Sequence, residues 1–292
     1  MHTKATISSL NYFASQGYSV DMLRLDLVHP IVSGNKWYKL KEYLLQAKEQ
    51  KADTLASFGG PYSNHIVALA YAGHYLGLKT IGYIRTNADE PITPSLQEAI
   101  GYGMQLIYLG RTHFQEKKNE LLKNQDSSSP YFIDEGGYGK LGCQGFASIQ
   151  EEVTLNQYDY MIAAVGTGTM LSGLISISNP DQQIIGIPVL KNEETIYSEI
   201  NAILPDTKKP YTLLHQFHQG GYAKTTQEQI DRMNQFWKNT GIPTDIVYTG
   251  KLVTAFDQLL QEKYFKKDAS ILLIHSGGLQ GNRSVKPGVL LY

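Results

Sequence analysis

Lys36 follows Ser33-Gly34-Asn35 and precedes Trp37-Tyr38-Lys39-Leu40-Lys41-Glu42-Tyr43-Leu44-Leu45, a pattern that predicts an amphipathic helix. A lysine held between a tight turn and a helix start is partly desolvated and lies near the helix's positive end. Both effects lower its pKa toward the neutral amine that attacks a carbonyl. Most of the 26 lysines and arginines must be solvated surface charges, so the setting singles Lys36 out, not the residue type. Ser33, Gly34 and Asn35 create that setting, because such residues permit a close-approach turn.

A second segment able to do chemistry lies about half a chain later. Tyr160–Val165 reads as a buried strand running into Gly166-Thr167-Gly168-Thr169 and then a helix from Met170 to Ile177. Glycines let backbone N–H groups approach an anion, and a helix start offers unpaired donors and positive dipole. The Thr167 and Thr169 hydroxyls can add bonds, so the loop suits a phosphate monoester. It lacks the Gly-Lys-Ser/Thr ending of a Walker loop and the third glycine of a dinucleotide fingerprint, which weakens nucleoside triphosphate and NAD as ligands. A glycine-rich turn with no ligand is the plain alternative.

An amine nucleophile and a phosphate cradle in one chain point together to pyridoxal 5′-phosphate, whose aldehyde needs the first and whose phosphate needs the second. Ser63-Asn64-His65 opens a further predicted helix, Ile66–Leu76, which Gly77 can stop. Asn64 there can bond the cofactor's phenolic oxygen, and the backbone amides of Ser63, Asn64 and His65 can hold a substrate carboxylate. The structural alternatives are an N-cap at Ser63 or Asn64 and an ordinary satisfied histidine at His65.

The elements that must position these groups alternate along the chain. Strands are expected at Leu55–Phe58, Thr80–Ile84, Gln105–Leu109, Ile184–Val189 and Ile271–His275, and helices at Ser95–Ile100 and Thr226–Trp237. Asn124–Pro130 reads as an exposed connection. At 292 residues two compact units are expected, and 42% apolar with 18% charged residues is the composition of an ordinary folded protein. A formal net charge of −1 gives no overall field to recruit nucleic acid or an anionic membrane. Met1–Thr6 lacks the apolar run of a signal peptide, and no stretch is long enough to span a bilayer. The lone Cys143 cannot form an intrachain disulfide, which favours a cytoplasmic setting. It reads as a small packed residue, and no metal-ligand spacing involves it.

Gly34-Asn35-Lys36, Lys39-Leu40, Ala52-Asp53-Thr54-Leu55, Ser63-Asn64-His65, Gly166–Thr169, Tyr248-Thr249-Gly250-Lys251 and His275-Ser276-Gly277-Gly278 follow one another along most of the chain. In that order they resemble the motifs of the 1-aminocyclopropane-1-carboxylate deaminase and D-cysteine desulfhydrase family. That family belongs to the tryptophan-synthase-β-like, fold-type II group of pyridoxal phosphate enzymes. The resemblance implies that Lys36 anchors the cofactor and then acts as base at the substrate α-carbon. It implies that Asn64 faces the cofactor's 3-oxygen, that Gly166, Thr167, Gly168 and Thr169 surround its phosphate, and that Ser63 and His65 border the substrate carboxylate. Tyr222, in Gly220-Gly221-Tyr222, and Tyr248 match two active-site tyrosines, although 20 tyrosines in the chain make the local match at Tyr222 loose.

Two positions discriminate within the family. Deaminases of the cyclopropane amino acid carry a glutamate after the Tyr248 position, where this chain has Thr249, and a leucine where it has Ser276. Both hydroxyls resemble the desulfhydrase pattern, with a less electron-withdrawing cofactor ring suited to β-elimination. D-cysteine would then give pyruvate, ammonia and hydrogen sulfide; the cyclopropane-acid deaminase and a non-catalytic ligand-binding homologue are the alternatives. Tyr38, where the family usually has arginine, and the Pro61-Tyr62 turn are departures that leave the substrate open. A minor alternative moves the anchor to Lys251.

The expected architecture is α/β: two open, twisted, mainly parallel sheets with helices on both faces and the cofactor in the cleft between domains. Residues 1–37 plus 151–292 would form the larger domain and 38–150 the smaller. Family resemblance implies a homodimer.

Overall fold

A computed structural model describes residues 3–126, 128–191 and 193–292. In chain order its elements are β1 (Thr6–Ser9), β2 (Ser19–Arg24), α1 (Asn35–Glu49), β3 (Thr54–Gly59), α2 (Asn64–Leu76), β4 (Lys79–Ile84), α3 (Pro94–Gly101), β5 (Gln105–Tyr108), α4 (Phe114–Lys123) and β6 (Tyr131–Ile133). They continue with α5 (Lys140–Gln144), β7 (Tyr160–Val165), α6 (Thr169–Ile177), β8 (Gln183–Pro188), α7 (Glu193–Ile203), β9 (Tyr211–Leu213), α8 (Gln227–Thr240), α9 (Thr249–Gln261) and β10 (Ser270–His275).

The strands form two sheets, ordered β1-β2-β10-β7-β8-β9 and β5-β4-β3-β6. Every pairing is parallel except β1 with β2. Parallel strands must be covered on both faces, which explains their unbroken apolar runs. In β10, Ile271 and Leu273 join the cluster that holds Leu252 and Phe256 of α9, whereas Leu272 and Ile274 join the one that holds Leu171 and Ile175 of α6. The smaller sheet repeats the arrangement, with Leu55 beside Ile66 and Leu69 of α2, and Ala56 and Phe58 beside Phe114 of α4. The fold is thus the expected α/β class, with two mainly parallel sheets flanked by helices.

Every strand and helix expected above is present to within a few residues. The expectation missed the strands β1, β2, β6 and β9, which are short or lie near a sheet margin, and the helices α4, α5 and α7. Strands of the larger sheet come from residues 6–24 and 160–275 and those of the smaller from 54–133; the boundary expected at 37/38 falls within α1. Met1, His2 and, in the connection expected at Asn124–Pro130, Ser127 lie outside the described residues. Asn124, Gln125, Asp126 and Ser128 are exposed. No helix among the described residues is long and apolar enough to cross a membrane.

Tyr38 belongs to this core. It is fully buried on the inner face of α1, stacks on Phe146 at 5.6 Å between centroids, and donates to Glu152 Oε2 at 2.7 Å. The same carboxylate oxygen accepts the Ala5 N–H at 2.7 Å. The departure at Tyr38 is therefore a packing difference that pins the N-terminal strand region to α1. Tyr38→Phe should lower stability by about 1 kcal/mol through loss of one hydrogen bond, read as a shifted denaturant midpoint, and should leave turnover unchanged.

Candidate active site

The groups singled out in the sequence meet where parallel strands of both sheets end. β2 leads through residues 25–34 into α1, β3 into the Gly60–Ser63 turn and α2, β7 into Gly166–Gly168 and α6, and β10 into Ser276–Gly278. Open α/β sheets place ligands at such strand ends.

Lys36 lies in the first turn of α1, and the backbone before it is fixed to the end of β10. Asn35 N donates to Ser276 O at 3.0 Å and Gly34 N to Leu25 O at 3.0 Å. Gly34 has φ +68°, and a Cβ there would lie 1.9 Å from Ser276 O, so only glycine fits. The Lys36 side chain is half-buried, with Nζ 2.7 Å from Asn35 Oδ1. Burial lowers its pKa to about 8, against the opposing pull of the Asp245 charge. A substantial neutral fraction thus exists near physiological pH, as a carbonyl-attacking amine requires.

One turn on, buried Lys39 directs Nζ to Gly136 O at 3.1 Å and Thr167 Oγ1 at 3.4 Å. Burial, followed by the Lys36 charge, holds its pKa well below the lysine range. Thr167 Oγ1 lies 3.2 Å from the hydroxyl of fully buried Thr169, and Gly168 is left-handed at φ +75° where α6 begins. Gly166 faces Tyr248: a Cβ would lie 3.3 Å from Tyr248 Cε1. The cradle is thus a helix start lined by two hydroxyls with a lysine beside it. Lys39 was unassigned on sequence grounds, although its i, i+3 spacing from Lys36 puts both amines on one helix face.

Ser63 caps α2, its Oγ accepting the Ile66 N–H at 3.3 Å. Asn64 carries a buried Oδ1 without a hydrogen-bond partner, and its Nδ2 lies 3.3 Å from where a Cβ on Gly278 would stand. An orphaned acceptor of this kind costs stability unless a ligand satisfies it. His65 is buried behind the helix start, with Nε2 2.9 Å from Ser57 Oγ and Nδ1 unpartnered. Burial, then the Lys36 and Lys39 charges, hold its pKa well below the usual value, so the ring is neutral.

The Tyr222 and Tyr248 rings meet edge to face, 6.3 Å between centroids at 74°. Tyr222 is half-exposed, and burial pushes both phenol pKa values up, so both keep their protons. Thr249 is fully buried; its hydroxyl donates to Asp245 Oδ1 at 2.7 Å and accepts the Asp245 N–H at 2.7 Å. Asp245, which sequence reasoning passed over, also accepts the N–H groups of Val247, Tyr248 and Thr249 at 2.8–2.9 Å. The signal for it was an aspartate four residues before Thr249 at a helix start. Ser276 is buried at the end of β10.

Lys251 directs its amine into a cage of backbone carbonyls, which removes the geometric basis for a second anchor. Burial pushes the Cys143 thiol up to about 11, the opposite of an activated nucleophile. Among the described residues no group of three or more His, Cys, Asp and Glu side chains could hold a metal ion.

The groups present fit one kind of cofactor. A partly neutral lysine, an amide acceptor that a phenolic hydroxyl can answer and an anion cradle backed by a second lysine match a hydroxylated aromatic aldehyde carrying a phosphate, which defines the class as a pyridoxal phosphate enzyme. Residues 20–277 match the family model for pyridoxal-phosphate dependent enzymes, and the chain belongs to that family. It is 27% identical over 284 residues to a mitochondrial bifunctional D-cysteine desulfhydrase/1-aminocyclopropane-1-carboxylate deaminase of Arabidopsis thaliana, covering 86% of this chain and 70% of that one. A D-cysteine desulfhydrase of Serratia proteamaculans is 24% identical over 292 residues, with 90% and 87% covered. A solved structure described as an ACC deaminase homologue superposes with a TM-score of 0.81 at 26% identity, covering 96% of this chain and 91% of that one.

Two outcomes test the site. The amine must be neutral to attack, so formation of a borohydride-reducible adduct on Lys36 should speed up with rising pH and level off just above about 8, not above the ordinary 10.5; Lys36→Ala should give no adduct on peptide mapping. Lys39→Met should lose a charge-assisted phosphate bond worth about 1.5–3 kcal/mol, weakening pyridoxal phosphate binding roughly ten- to hundredfold. Fluorescence titration should show unphosphorylated pyridoxal binding unchanged.

Proposed function

We propose that this enzyme is a lyase for a small amino acid and that D-cysteine is its substrate, cleaved to pyruvate, ammonia and hydrogen sulfide. The observation that carries this reading is the saturation of Asp245. Both of its oxygens are taken, Oδ1 by the Thr249 amide and hydroxyl and Oδ2 by two further amides. With Thr249 and Ser276 at the two discriminating positions, no free carboxylate is offered to a protonated pyridine nitrogen. A weaker electron sink suits departure of hydrosulfide, a good leaving group, better than opening of a cyclopropane ring.

When bound, pyridoxal phosphate supplies the electron sink that makes the α-hydrogen acidic. The Lys36 amine, kept partly neutral by burial, removes that proton. The start of α2 at Ser63, Asn64 and His65 offers backbone N–H groups and positive dipole to the substrate carboxylate. Tyr222 and Tyr248 exclude water from the reacting carbon, and their retained protons suit donation to the departing sulfur. The Cβ–S bond breaks with its electron pair on sulfur, and the released enamine hydrolyses to pyruvate and ammonia. The cytoplasmic setting and the homodimer, which light scattering tests, belong to the same proposal, as do domains at 1–37 plus 151–292 and 38–150.

Deamination of 1-aminocyclopropane-1-carboxylate is the second reading, supported by the likeness to the deaminase homologue at a TM-score of 0.81. Keto-acid release from a panel of D- and L-amino acids should be largest with D-cysteine, accompanied by sulfide. Comparable turnover of the cyclopropane amino acid would sink the argument from Asp245, Thr249 and Ser276. Bound cofactor with no product from any amino acid would instead favour a ligand-binding homologue.

A further inference from the structure

Lys251 takes no step in the proposed reaction, although its side chain is fully buried in the first turn of α9. Its Nζ donates to Gly221 O at 2.6 Å and His218 O at 2.8 Å, with Val189 O at 3.5 Å. An ammonium has three donors, and three carbonyls from two separate segments meet it. The loop that brings two of them is unusual. Gln219, Gly220, Gly221 and Ala223 all have positive φ, at 50°, 87°, 107° and 54°. Two of these are not glycine, and side chains disfavour that region. Such a run persists only where something outside it over-determines the backbone. Tyr222 sits within the run, and its ring meets Tyr248, three residues before Lys251. One helix start therefore carries Tyr248 directly and, through Lys251, the loop that carries Tyr222.

We propose that Lys251 is a positioning residue: a tethered cation around which the 218–223 loop folds, so that Tyr222 is set against Tyr248 at the mouth of the site. The proposal rests on the reading above that these two tyrosines border the substrate. Burial lowers the Lys251 pKa to about 8, so at neutral pH the cation is retained.

The test uses the holoenzyme with Lys251→Ala and Lys251→Met, in KCl and in LiCl at equal ionic strength. Alanine leaves the carbonyls facing a space that a potassium ion, a cation carbonyl oxygens coordinate, can enter. Methionine removes the charge but keeps the bulk, which guards against collapse. In LiCl both variants should keep the reducible adduct on Lys36. Their amides over residues 216–224 should exchange about tenfold faster than in the wild type, and KM should rise about fivefold with a smaller change in kcat. KCl should restore protection and KM in Lys251→Ala and not in Lys251→Met. Wild-type protection of Lys251→Ala in LiCl overturns the proposal, as does a loss that KCl fails to reverse or disappearance of the adduct. A wild type that turns over no amino acid sinks the lyase reading alone; the exchange comparison still decides the role of Lys251.

Discussion

Lys36 reaches the site through one backbone joint, the contact of Gly34 with the Ser276–Gly277 strand end. A Cβ on Gly34 would lie 1.9 Å from Ser276 O, and one on Gly277 would lie 2.8 Å from Gly34 Cα, so two backbone segments meet with no side chain between them. Beneath the joint, Arg24 grips Asp26 through bonds of 2.8 and 2.6 Å, and His275 Nδ1 lies 3.3 Å from Asp26 Oδ1. Ser33 Oγ donates to Asp26 O at 3.2 Å. A buried carboxylate needs partners, and the Arg24–Asp26 pair with the Ser33 hydroxyl ties the end of β2 to the loop that delivers Lys36, while the Asn35 N–H on Ser276 O ties that loop to the end of β10. The register that pairs His275 with Arg24 therefore fixes where Lys36 stands.

The joint gathers positive charge in a confined space. Lys36 and Lys39 share one face of α1, and each is desolvated by the packing that places it. Like charges at that spacing repel, and burial makes the ammonium forms costly. Glu199 offers little relief, because burial raises its own pKa to about 7. An anion in the Gly166–Thr169 cradle removes the conflict at Lys39. Whatever binds the folded state alone also stabilises it, so cofactor binding and folding of the cleft are thermodynamically linked.

Much of this was legible in the sequence because it depends on local rules. β7 and β10 are apolar runs ended by glycines, and the cradle is a strand, a glycine turn and a helix start in consecutive residues. Short strands such as β6 and β9 carry too few residues for periodicity to rise above noise. Tyr38 reads from sequence as a substrate-related departure because sequence does not tell the inner face of α1 from the face bearing Lys36 and Lys39. Asp245 was invisible for another reason: its importance lies in saturation by four donors, and donor counts appear only when a loop has folded.

That saturation gives the two discriminating positions a physical sense that residue identity alone lacks. A glutamate in place of Thr249 would lose the reciprocal hydroxyl bonds to Asp245 and bring a second carboxylate against a buried one. One of the pair would then have to gain a proton or a cation, so the surroundings would have to change together with position 249. Thr249 instead lets Asp245 direct both oxygens to the start of α9, which fixes the backbone of Tyr248 from behind. The choice of hydroxyl over carboxylate thus orders the helix start, and under the proposed lyase reading the same choice leaves position 249 without a charge to offer the cofactor ring.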